Sequence, residues 1–271
     1  MHGGAIYLGR AKALASAPSR MKTTSSGGLR VGIDFGTSYC SLACYAGGTL
    51  HFAREGREAR IPAVLHVAPE GKSIVGRAAV EHLLSSPDCT LPSIKRLMGH
   101  AYADRAVRSL NYAVGYEIVP GPAESAVVKI REERYAPAQL VAEILRYLRD
   151  LAEAQFGRTV EQAVFAVPVA ASEAYQQALR LAAKLAHIEV LKLVSEPVAG
   201  ILARSLNDSP IVSRILVSDF GAGTFDASIV EQDGRRFRAL ASAGDNFLGG
   251  DDFDVKLADA VSGLLYKSDK V

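Results

Sequence analysis

Apolar and polar positions recur at two different periods along this chain, so both strands and helices are predicted. Residues 29–52 follow the period of a strand and are predicted to form three short strands, with Gly47-Gly48 as a hairpin turn. Apolar residues from Leu140 to Phe156 recur at helical spacing, which predicts a long helix that begins at Pro137 and ends at Gly157. The pattern therefore predicts an α/β protein.

The segment from about residue 62 to residue 134 is interpreted as an insertion on the first half of the molecule. The rest of the pattern predicts shorter elements. The predicted elements are a strand at Ile61–Val67, a helix at Ala78–Leu84, a compact helix at Leu91–Gly99, short strands and loops over 101–130, a strand at Ala163–Val167, a helix from Ser172 to Ala186, a strand at Val190–Val194, a helix from Glu196, a strand from Ile215, a strand at Phe237–Ala243 and a last helix after Leu248.

The stretch Val217–Asp226 carries the most distinctive candidate chemistry. An apolar run ends in Asp219, the turn Gly221-Ala222-Gly223-Thr224 follows, and Asp226 precedes a second apolar run. The two glycines leave backbone N–H groups uncovered, so a phosphate could approach them closely. Carboxylate oxygens on either side suit Mg²⁺ and its waters. Taken alone, the stretch is explained equally well by a plain hairpin with polar turn residues.

A second loop has the same pattern, which favours a phosphate site over a plain hairpin. Within Leu29–Ser41 an apolar strand ends in Asp34, Gly36-Thr37-Ser38 follows, and an apolar strand resumes. Two such hairpins predict two similar half-domains that face each other, with phosphates and a metal ion between them. The sequence has no Gly-Lys-Ser/Thr of a Walker loop here, and a strand follows the turn where a dinucleotide fingerprint requires a helix.

Composition narrows the class of protein. The chain has 271 residues, 49% apolar and 22% charged, with a net charge of +2, which is typical of soluble globular proteins. This balanced charge argues against nucleic acid as a partner, and no apolar run approaches the ~20 residues of a membrane span. Cys40 and Cys44 share one side of a predicted strand and are interpreted as buried apolar residues. With Cys89 isolated, a reducing cytoplasm fits best.

The first 29 residues differ from the rest in composition. They contain no Asp or Glu and end in a Ser- and Gly-rich segment, so residues 1–29 are expected to be a disordered basic tail. The apolar stretch Ala5–Leu8 is too short for a secretory signal. Met21 is an alternative start of the chain.

Six stretches, in this order, resemble the seventy-kilodalton heat-shock chaperones (DnaK-type) of the actin-like ATPase superfamily. The resemblance implies an actin-like ATPase (ribonuclease H-like) fold. Its first lobe, residues 30–212, is expected to be essentially complete, whereas the second, residues 213–271, is expected to be truncated and only partly present. The stretches are Gly32–Tyr39, Ile94–Gly99, Ala166–Pro168, Ser195–Pro197, Asp219–Asp226 and Leu248–Asp254.

The resemblance also implies roles for single residues toward ATP and Mg²⁺. Asp34 and Asp219 are expected to hold Mg²⁺ through water. Lys95, Glu196, Asp219 and Asp226 are expected to be catalytic, with Lys95 steadying the attacking water and the γ-phosphate. Pro168 is expected to act as a hinge switch. The residues expected to bind the nucleotide phosphates and metal are Asp34, Gly36, Thr37, Ser38, Tyr39, Gly221, Ala222, Gly223 and Thr224.

The implied function is that of a chaperone ATPase module, with unfolded protein clients and co-chaperones bound through regions beyond Val271. Three differences from the family bear on this function. Ala222 replaces a glycine, Val169-Ala170-Ala171 replace an aromatic pair, and Gln176 replaces an arginine that couples nucleotide state to the linker. Because the family's adenosine-binding helices also lie beyond Val271, this chain is expected to bind ATP poorly, and its own activity stays open.

The alternative interpretation is a regulatory or scaffold protein that keeps the fold without turnover, which Gln176 supports. An actin-like filament protein fits less well, because Lys95 and Phe253 resemble the chaperone branch, and no sugar-binding signature indicates a sugar kinase. Lys95 can also be interpreted as a surface charge and Glu196 as a favourable charge at a helix N-terminus. Asp251-Asp252 is interpreted as a helix start with a solvated face.

Overall fold

The structure, a computed structural model, describes residues 28–205, 213–234, 236–245 and 247–268. The predicted tail lies outside these residues except for Gly28 and Leu29. The strands are β1 Leu29–Phe35, β2 Tyr39–Ala46, β3 Thr49–Phe52, β4 Ile61–Pro62, β5 Leu65–Val67, β6 Ser73–Val75, β7 Thr90–Leu91, β8 Glu117–Pro120, β9 Ala126–Ile130, β10 Glu133–Tyr135, β11 Val160–Val167, β12 Glu189–Ser195, β13 Ser213–Phe220, β14 Phe225–Asp233 and β15 Arg236–Asp245. The helices are α1 Arg77–Val80, α2 Arg105–Ala113, α3 Pro137–Phe156, α4 Glu173–Leu185, α5 Glu196–Ser205 and α6 Gly250–Ser268, with 3-10 helices at Ile94–Leu97 and Pro122–Glu124.

The largest sheet has the strand order β3-β2-β1-β11-β12, with β4 paired to β2. β1, β2 and β3 are antiparallel neighbours, whereas β11 runs parallel to β1 and β12 runs parallel to β11. Each parallel connection contains a helix, α3 before β11 and α4 before β12, because a parallel crossover needs a long connection. The predicted α/β class is confirmed, and this architecture is compatible with an actin-like ATPase fold.

The alternation of β1 and β2 directs apolar side chains into the core. Every second residue of β1 is buried, so Asp34 lies on the face opposite Ile33 and Phe35. On β2, Cys40 and Cys44 are both buried on one side, as predicted, and both are free thiols. The same alternation that builds the core therefore leaves the Asp34 carboxylate available at the end of β1.

Helix α3 covers this sheet with the face that its apolar spacing predicts. Leu140, Ile144 and Leu148 are among its buried residues. The helix begins at Pro137 and is capped by Gly157, whose φ of 68° lies in the left-handed region that favours glycine. Both predicted ends of the helix are confirmed.

The insertion predicted at about 62–134 contains two small antiparallel sheets, β6-β5-β7 and β10-β9-β8. Prediction is least accurate in this region. The compact helix predicted at Leu91–Gly99 is reduced to the 3-10 turn Ile94–Leu97, because Leu91 belongs to β7 and Pro92 separates the two elements. The predicted helix Ala78–Leu84 is reduced to α1, and the predicted strand Ile61–Val67 is divided into β4 and β5.

The prediction of only short strands and loops at 101–130 is wrong, because α2 lies within that segment. Only Val107 and Leu110 of this helix are buried, and two apolar positions are too few to establish a helical period. The preceding acid, Asp104, does not cap the helix through its side chain. Its carboxylate instead accepts a hydrogen bond from the Ala101 N–H at 3.1 Å.

Strands β13, β14 and β15 form a separate antiparallel meander, with α6 after it. Helix α5 lies between the two sheets and contacts strands of both. Large apolar side chains remain exposed on the meander and on α6, among them Leu216, Phe220, Leu257 and Leu264. Among the described helices, α3 and α6 included, none is sufficiently long and apolar to cross a membrane.

Candidate functional site

The two acidic hairpins predicted from the sequence are built on one backbone register. In β1–β2, Asp34 lies opposite Ser41, one pair before the end of the ladder. In β13–β14, Asp219 lies opposite Asp226, again one pair before the end. Each hairpin therefore carries an acid at the same distance from its loop.

The loops of the two hairpins are also closed in the same way. The N–H of Gly36 donates to the carbonyl oxygen of Tyr39 at 3.0 Å, and the N–H of Gly221 donates to that of Thr224 at 2.9 Å. Each bond joins the first and last residues of a four-residue loop. The hairpins therefore share register and loop closure, although one belongs to the main sheet and the other to the meander.

Close packing, rather than left-handed backbone, requires glycine at two positions of these loops. A Cβ at Gly36 would lie 2.4 Å from the carbonyl oxygen of Tyr39. A Cβ at Gly223 would lie 2.7 Å from Thr37 Oγ1, so the close contact between the two loops requires glycine there. Ala222 is not in the positive-φ region, so its side chain causes no backbone strain.

The two loops form part of the wall of one cavity of about 270 Å³. Lys95 from the 3-10 helix, Glu196 from the start of α5 and Arg60 from the loop before β4 complete it. The predicted site residues in this wall are Asp34, Gly36, Thr37, Ser38, Tyr39, Lys95, Glu196, Asp219, Gly221, Ala222 and Thr224. Gly223 and Asp226 are not in the wall, since Gly223 packs between the loops and Asp226 is buried on β14.

Lys95 and Glu196 form a buried ion pair in this wall. Lys95 Nζ donates to Glu196 Oε1 at 3.1 Å, and the two side chains are 7% and 14% exposed. Burial disfavours the ammonium charge, but the acidic groups of Tyr175, Glu196 and Asp34 outweigh burial and raise the pKa of Lys95 above 10.5. The interpretation of Lys95 as a solvated surface charge is wrong, because this cation is held inside the molecule.

Three carboxylates in or near the cavity have a raised pKa. Burial is the largest cause that raises the pKa of Asp34, Glu196 and Asp226, and the charge of Asp219 raises all three further. Lys95 opposes this shift at each of them. Asp34 keeps contact with solvent through the cavity mouth, yet enough protein surrounds it to disfavour its charge. A bound cation would reverse this effect by stabilising the ionised acids.

The donors around the cavity fit Mg²⁺ that is bound together with phosphate. Asp34 and Asp219 supply hard oxygen atoms from the two equivalent loops. Across the described residues, no group of three His, Cys, Asp or Glu side chains forms a ligand cage. Mg²⁺ does not require one, because it keeps several waters and takes one or two carboxylates plus phosphate oxygens.

Residues 30–271 match the family model described as Hsp70 protein. This chain belongs to the Hsp70 family. The matched range includes both hairpins and the Lys95–Glu196 pair. Membership supports a chaperone ATPase module, and the family generally binds ATP with Mg²⁺.

Arg60 is a site residue of this Hsp70-family chain that sequence reasoning missed. Its guanidinium lies 4.4 Å from the centre of the Tyr39 ring and lines the cavity beside the first loop. It adds a positive charge where phosphate would lie. Arg54, Arg57 and Arg60 occur in one short polar segment, and their spacing does not show which of them faces the site.

Arg96, the neighbour of Lys95, joins the loop of the second acidic hairpin to α6. Its Nη1 and Nη2 donate to the two carboxylate oxygens of Asp252 at 3.1 and 2.5 Å. Nη2 also donates to the carbonyl oxygen of Gly223 at 2.8 Å. Such a bidentate pair fixes geometry as well as charge, so it holds the loop, α6 and the insertion in register.

Asp251 makes a second link of the same kind. Its carboxylate accepts hydrogen bonds from Ser93 Oγ at 2.8 Å and from Ser38 Oγ at 3.3 Å. The acids Asp251 and Asp252 do begin α6, as predicted. The interpretation of this pair as a solvated face is wrong, because both carboxylates bind side chains that come from the insertion or the first loop.

The region after Pro168 is arranged around small side chains. Pro168, Ala170 and Ala171 line a second cavity of about 100 Å³, and Lys95 lines it too. Gln176 donates from Nε2 to the carbonyl oxygen of Ala171 at 3.1 Å. Its amide therefore binds the segment immediately before its own helix and carries no charge toward another element.

Proposed function

We propose that this Hsp70-family chain is an ATP-binding and ATP-hydrolysing module that assists protein folding in the cytoplasm through a nucleotide switch. In this proposal the first lobe comprises residues 30–212, the second begins at 213, and the partners are unfolded proteins and co-chaperones. One observation carries the proposal: two acidic hairpins of the same register, together with the buried Lys95–Glu196 pair, line a single cavity.

The proposed ligand contacts follow from this arrangement. Asp34 and Asp219 hold Mg²⁺ through water from opposite sides, and the ion neutralises phosphate charge when bound. The N–H groups and hydroxyls of Gly36–Tyr39 and Gly221–Thr224 bind the phosphates, because exposed turn N–H groups form a concave surface for anions. Arg60 adds a further positive charge beside Tyr39.

The proposed reaction needs positioning and charge neutralisation more than covalent help. A water oxygen forms a bond to the γ-phosphorus while the bond to the bridging oxygen breaks, and that electron pair leaves with ADP. Lys95 orients the water and the γ-phosphate, and Glu196 fixes the ammonium group. The released proton passes to a site carboxylate and then to solvent.

The size of the cavity favours the polyphosphate over the whole nucleotide. About 270 Å³ is below the roughly 300–1,000 Å³ of pockets that enclose drug-sized ligands. We expect Mg²⁺-triphosphate and Mg²⁺-ATP to bind with similar affinities, both weaker than micromolar, in calorimetric titrations. A micromolar dissociation constant for ATP, about −8 kcal/mol, with much weaker triphosphate binding would contradict this part of the proposal.

Single-turnover hydrolysis at saturating Mg²⁺-ATP tests the catalytic part. Lys95→Met is expected to lower the rate by about a hundredfold or more, the scale of losing one group that stabilises transition-state charge. Lys129→Met is the matched control, since Lys129 pairs with Glu117 on the surface, and it should leave the rate unchanged. An unchanged rate in Lys95→Met would remove the role assigned to this residue.

Stability must be separated from activity in that experiment. Lys95→Met leaves the buried Glu196 carboxylate without its partner, which costs about 3–5 kcal/mol. The double variant Lys95→Met/Glu196→Gln removes both charges and should recover much of the stability. Recovery of stability without recovery of hydrolysis supports a catalytic role for the pair.

A scaffold protein without turnover is the second candidate, and the contact of Gln176 favours it. The uncharged amide bonds to Ala171 in the segment preceding its own helix, so it provides no charged link from the hinge to another element. A wild-type chain that binds Mg²⁺-triphosphate but fails to hydrolyse ATP would support this candidate. Measurable hydrolysis that depends on Lys95 would exclude it.

A further inference from the structure

Tyr175 is a buried tyrosine whose hydroxyl has no hydrogen-bond partner among the described residues. It lies in the first turn of α4 and is 8% exposed. Buried phenol hydroxyls are usually bonded, because leaving a polar group without a partner away from bulk water is costly. This hydroxyl therefore calls for a hydrogen-bond partner that the described protein atoms do not supply.

The backbone holds Tyr175 firmly in place. Its N–H donates to Ser172 Oγ at 3.1 Å, which caps the helix. Gly99 approaches so closely that a Cβ there would lie 2.4 Å from the Tyr175 nitrogen. The ring is thus attached to a backbone that is fixed from two sides.

The cavity of about 100 Å³ next to Tyr175 has room for water. It exists because Ala170 and Ala171 contribute only methyl groups to its wall. Its polar wall includes Lys95, and a buried site with several polar groups holds water when it offers about one probe volume or more. An ordered water there can bond the Tyr175 hydroxyl and a second polar group together.

This small cavity adjoins the proposed phosphate cavity. Thr37, Lys95 and Thr224 line both of them. Tyr175 also lies close enough to Lys95, Glu196 and Asp34 for their charges to interact. The Tyr175 ring and Lys95 therefore belong to the wall of the same small cavity, which the two acidic loops also reach through Thr37 and Thr224.

We propose that Tyr175 is a positioning residue for hydrolysis: its hydroxyl holds an ordered water in the small cavity, and this water accepts a hydrogen bond from Lys95 Nζ. The contact adds a second fixed partner to the one that Glu196 provides and keeps the ammonium group aimed at the γ-phosphate. This inference rests on the proposed ATPase function. It gives Tyr175 no contact with substrate.

Tyr175→Phe tests the inference, with Tyr147→Phe as the matched control. Tyr147 is a half-buried tyrosine whose hydroxyl donates to Glu55 at 2.8 Å, so its loss should lower Tm and leave kcat unchanged. Tyr175→Phe should leave Tm unchanged or higher, lower kcat about tenfold and leave the dissociation constant for Mg²⁺-triphosphate unchanged. A tenfold loss is the scale of one ordinary hydrogen bond.

Crystal structures of the wild-type chain and of Tyr175→Phe test, independently of activity, whether the small cavity holds the proposed water. A water between Tyr175 Oη and Lys95 Nζ in the wild type, absent from the variant, is the expected result. A dry cavity, or an unchanged kcat in an active chain, overturns the proposal. If the wild type hydrolyses no ATP, the proposed function fails and the catalytic role of Tyr175 fails with it, while diffraction still shows whether the water is held.

Discussion

The hairpins β1–β2 and β13–β14 share register and loop closure but differ in their surroundings. Phe35, the last residue of β1, is fully buried in the core of the main sheet. Phe220, the equivalent residue of β13, is 53% exposed. The residues opposite the two acids also differ, because Ser41 faces Asp34 and Asp226 faces Asp219.

Loop shape and burial have different causes in these two hairpins. Loop shape follows from local features that both hairpins have, namely an initial glycine and one hydrogen bond across the loop. Burial follows from the elements that cover each strand, and α3 covers the main sheet far more completely than α5 and α6 cover the meander. A loop of this shape therefore does not need a buried strand behind it.

The largest expected difference between the hairpins is in core packing. Phe35→Ala should lower the free energy of unfolding by about 3–5 kcal/mol, because it leaves a cavity in a well-packed core. Phe220→Ala should lower it by less than about 1 kcal/mol, since its ring has only tilted contacts with Phe225 and Phe253 at 5.9 Å. Urea denaturation measures both, and equal losses would show that the second strand is as buried in solution as the first.

The second largest difference in stability is expected for the glycines that begin the two loops, Gly36 and Gly221. Gly36→Ala places a Cβ 2.4 Å from a backbone oxygen, so the loop must shift, and a loss of about 1–3 kcal/mol is expected. At Gly221 the nearest atom would be 3.4 Å away, which is ordinary contact, and a change within about 0.5 kcal/mol is expected. Thermal unfolding of the two variants compares them. A larger loss at Gly221 would contradict the packing described for these loops.

The acid that has no counterpart in the first hairpin should have a smaller, pH-dependent effect. Burial and then the charge of Asp219 raise the pKa of Asp226 above its ordinary 3.8, so its ionised form destabilises the fold. Asp226→Asn should therefore raise the free energy of unfolding at pH 7 by about 1 kcal/mol.

Because only the ionised form of Asp226 destabilises the fold, the size of the destabilisation depends on pH. The destabilisation by Asp226 is complete above the folded-state pKa and disappears as pH falls below the unfolded-state pKa. The advantage of Asp226→Asn should thus shrink on acidification, which urea denaturation from pH 7 to pH 4 can follow. Ser41→Asn, at the equivalent position, should show no such pH dependence. A constant advantage for Asp226→Asn would contradict the raised pKa.

Much of the main sheet and the equivalence of the two hairpins could be predicted from the sequence, because both depend on local periodicity. The boundaries of α3 follow from Pro137, Gly157 and the apolar residues between them. By contrast, α2 buries only Val107 and Leu110, so its period is too weak to recognise. The insertion was therefore predicted less well than the sheet that it interrupts.

The candidate site likewise contains some residues that the sequence indicates and others that it does not. Asp34 and Asp219 stand out in the sequence because each follows an apolar strand and precedes a glycine turn. Arg60 and the partners of Arg96 do not stand out, since long-range packing alone determines which charges meet. Asp252 lies 156 positions from Arg96 along the chain, and nothing local in either segment indicates their contact. Tyr175 does not stand out in the sequence either, because only the fold shows that its hydroxyl has no hydrogen-bond partner among the described residues.

The most direct test of the account is a double-mutant cycle on Mg²⁺-triphosphate affinity, measured by calorimetry with Asp34→Asn, Asp219→Asn and the double variant. If one metal–phosphate ligand lies between the two loops, each single change weakens binding and the two effects are coupled by about 1 kcal/mol or more. Effects that add within about 0.5 kcal/mol, or an affinity that neither change alters, would contradict the claim that both hairpins hold the same ligand.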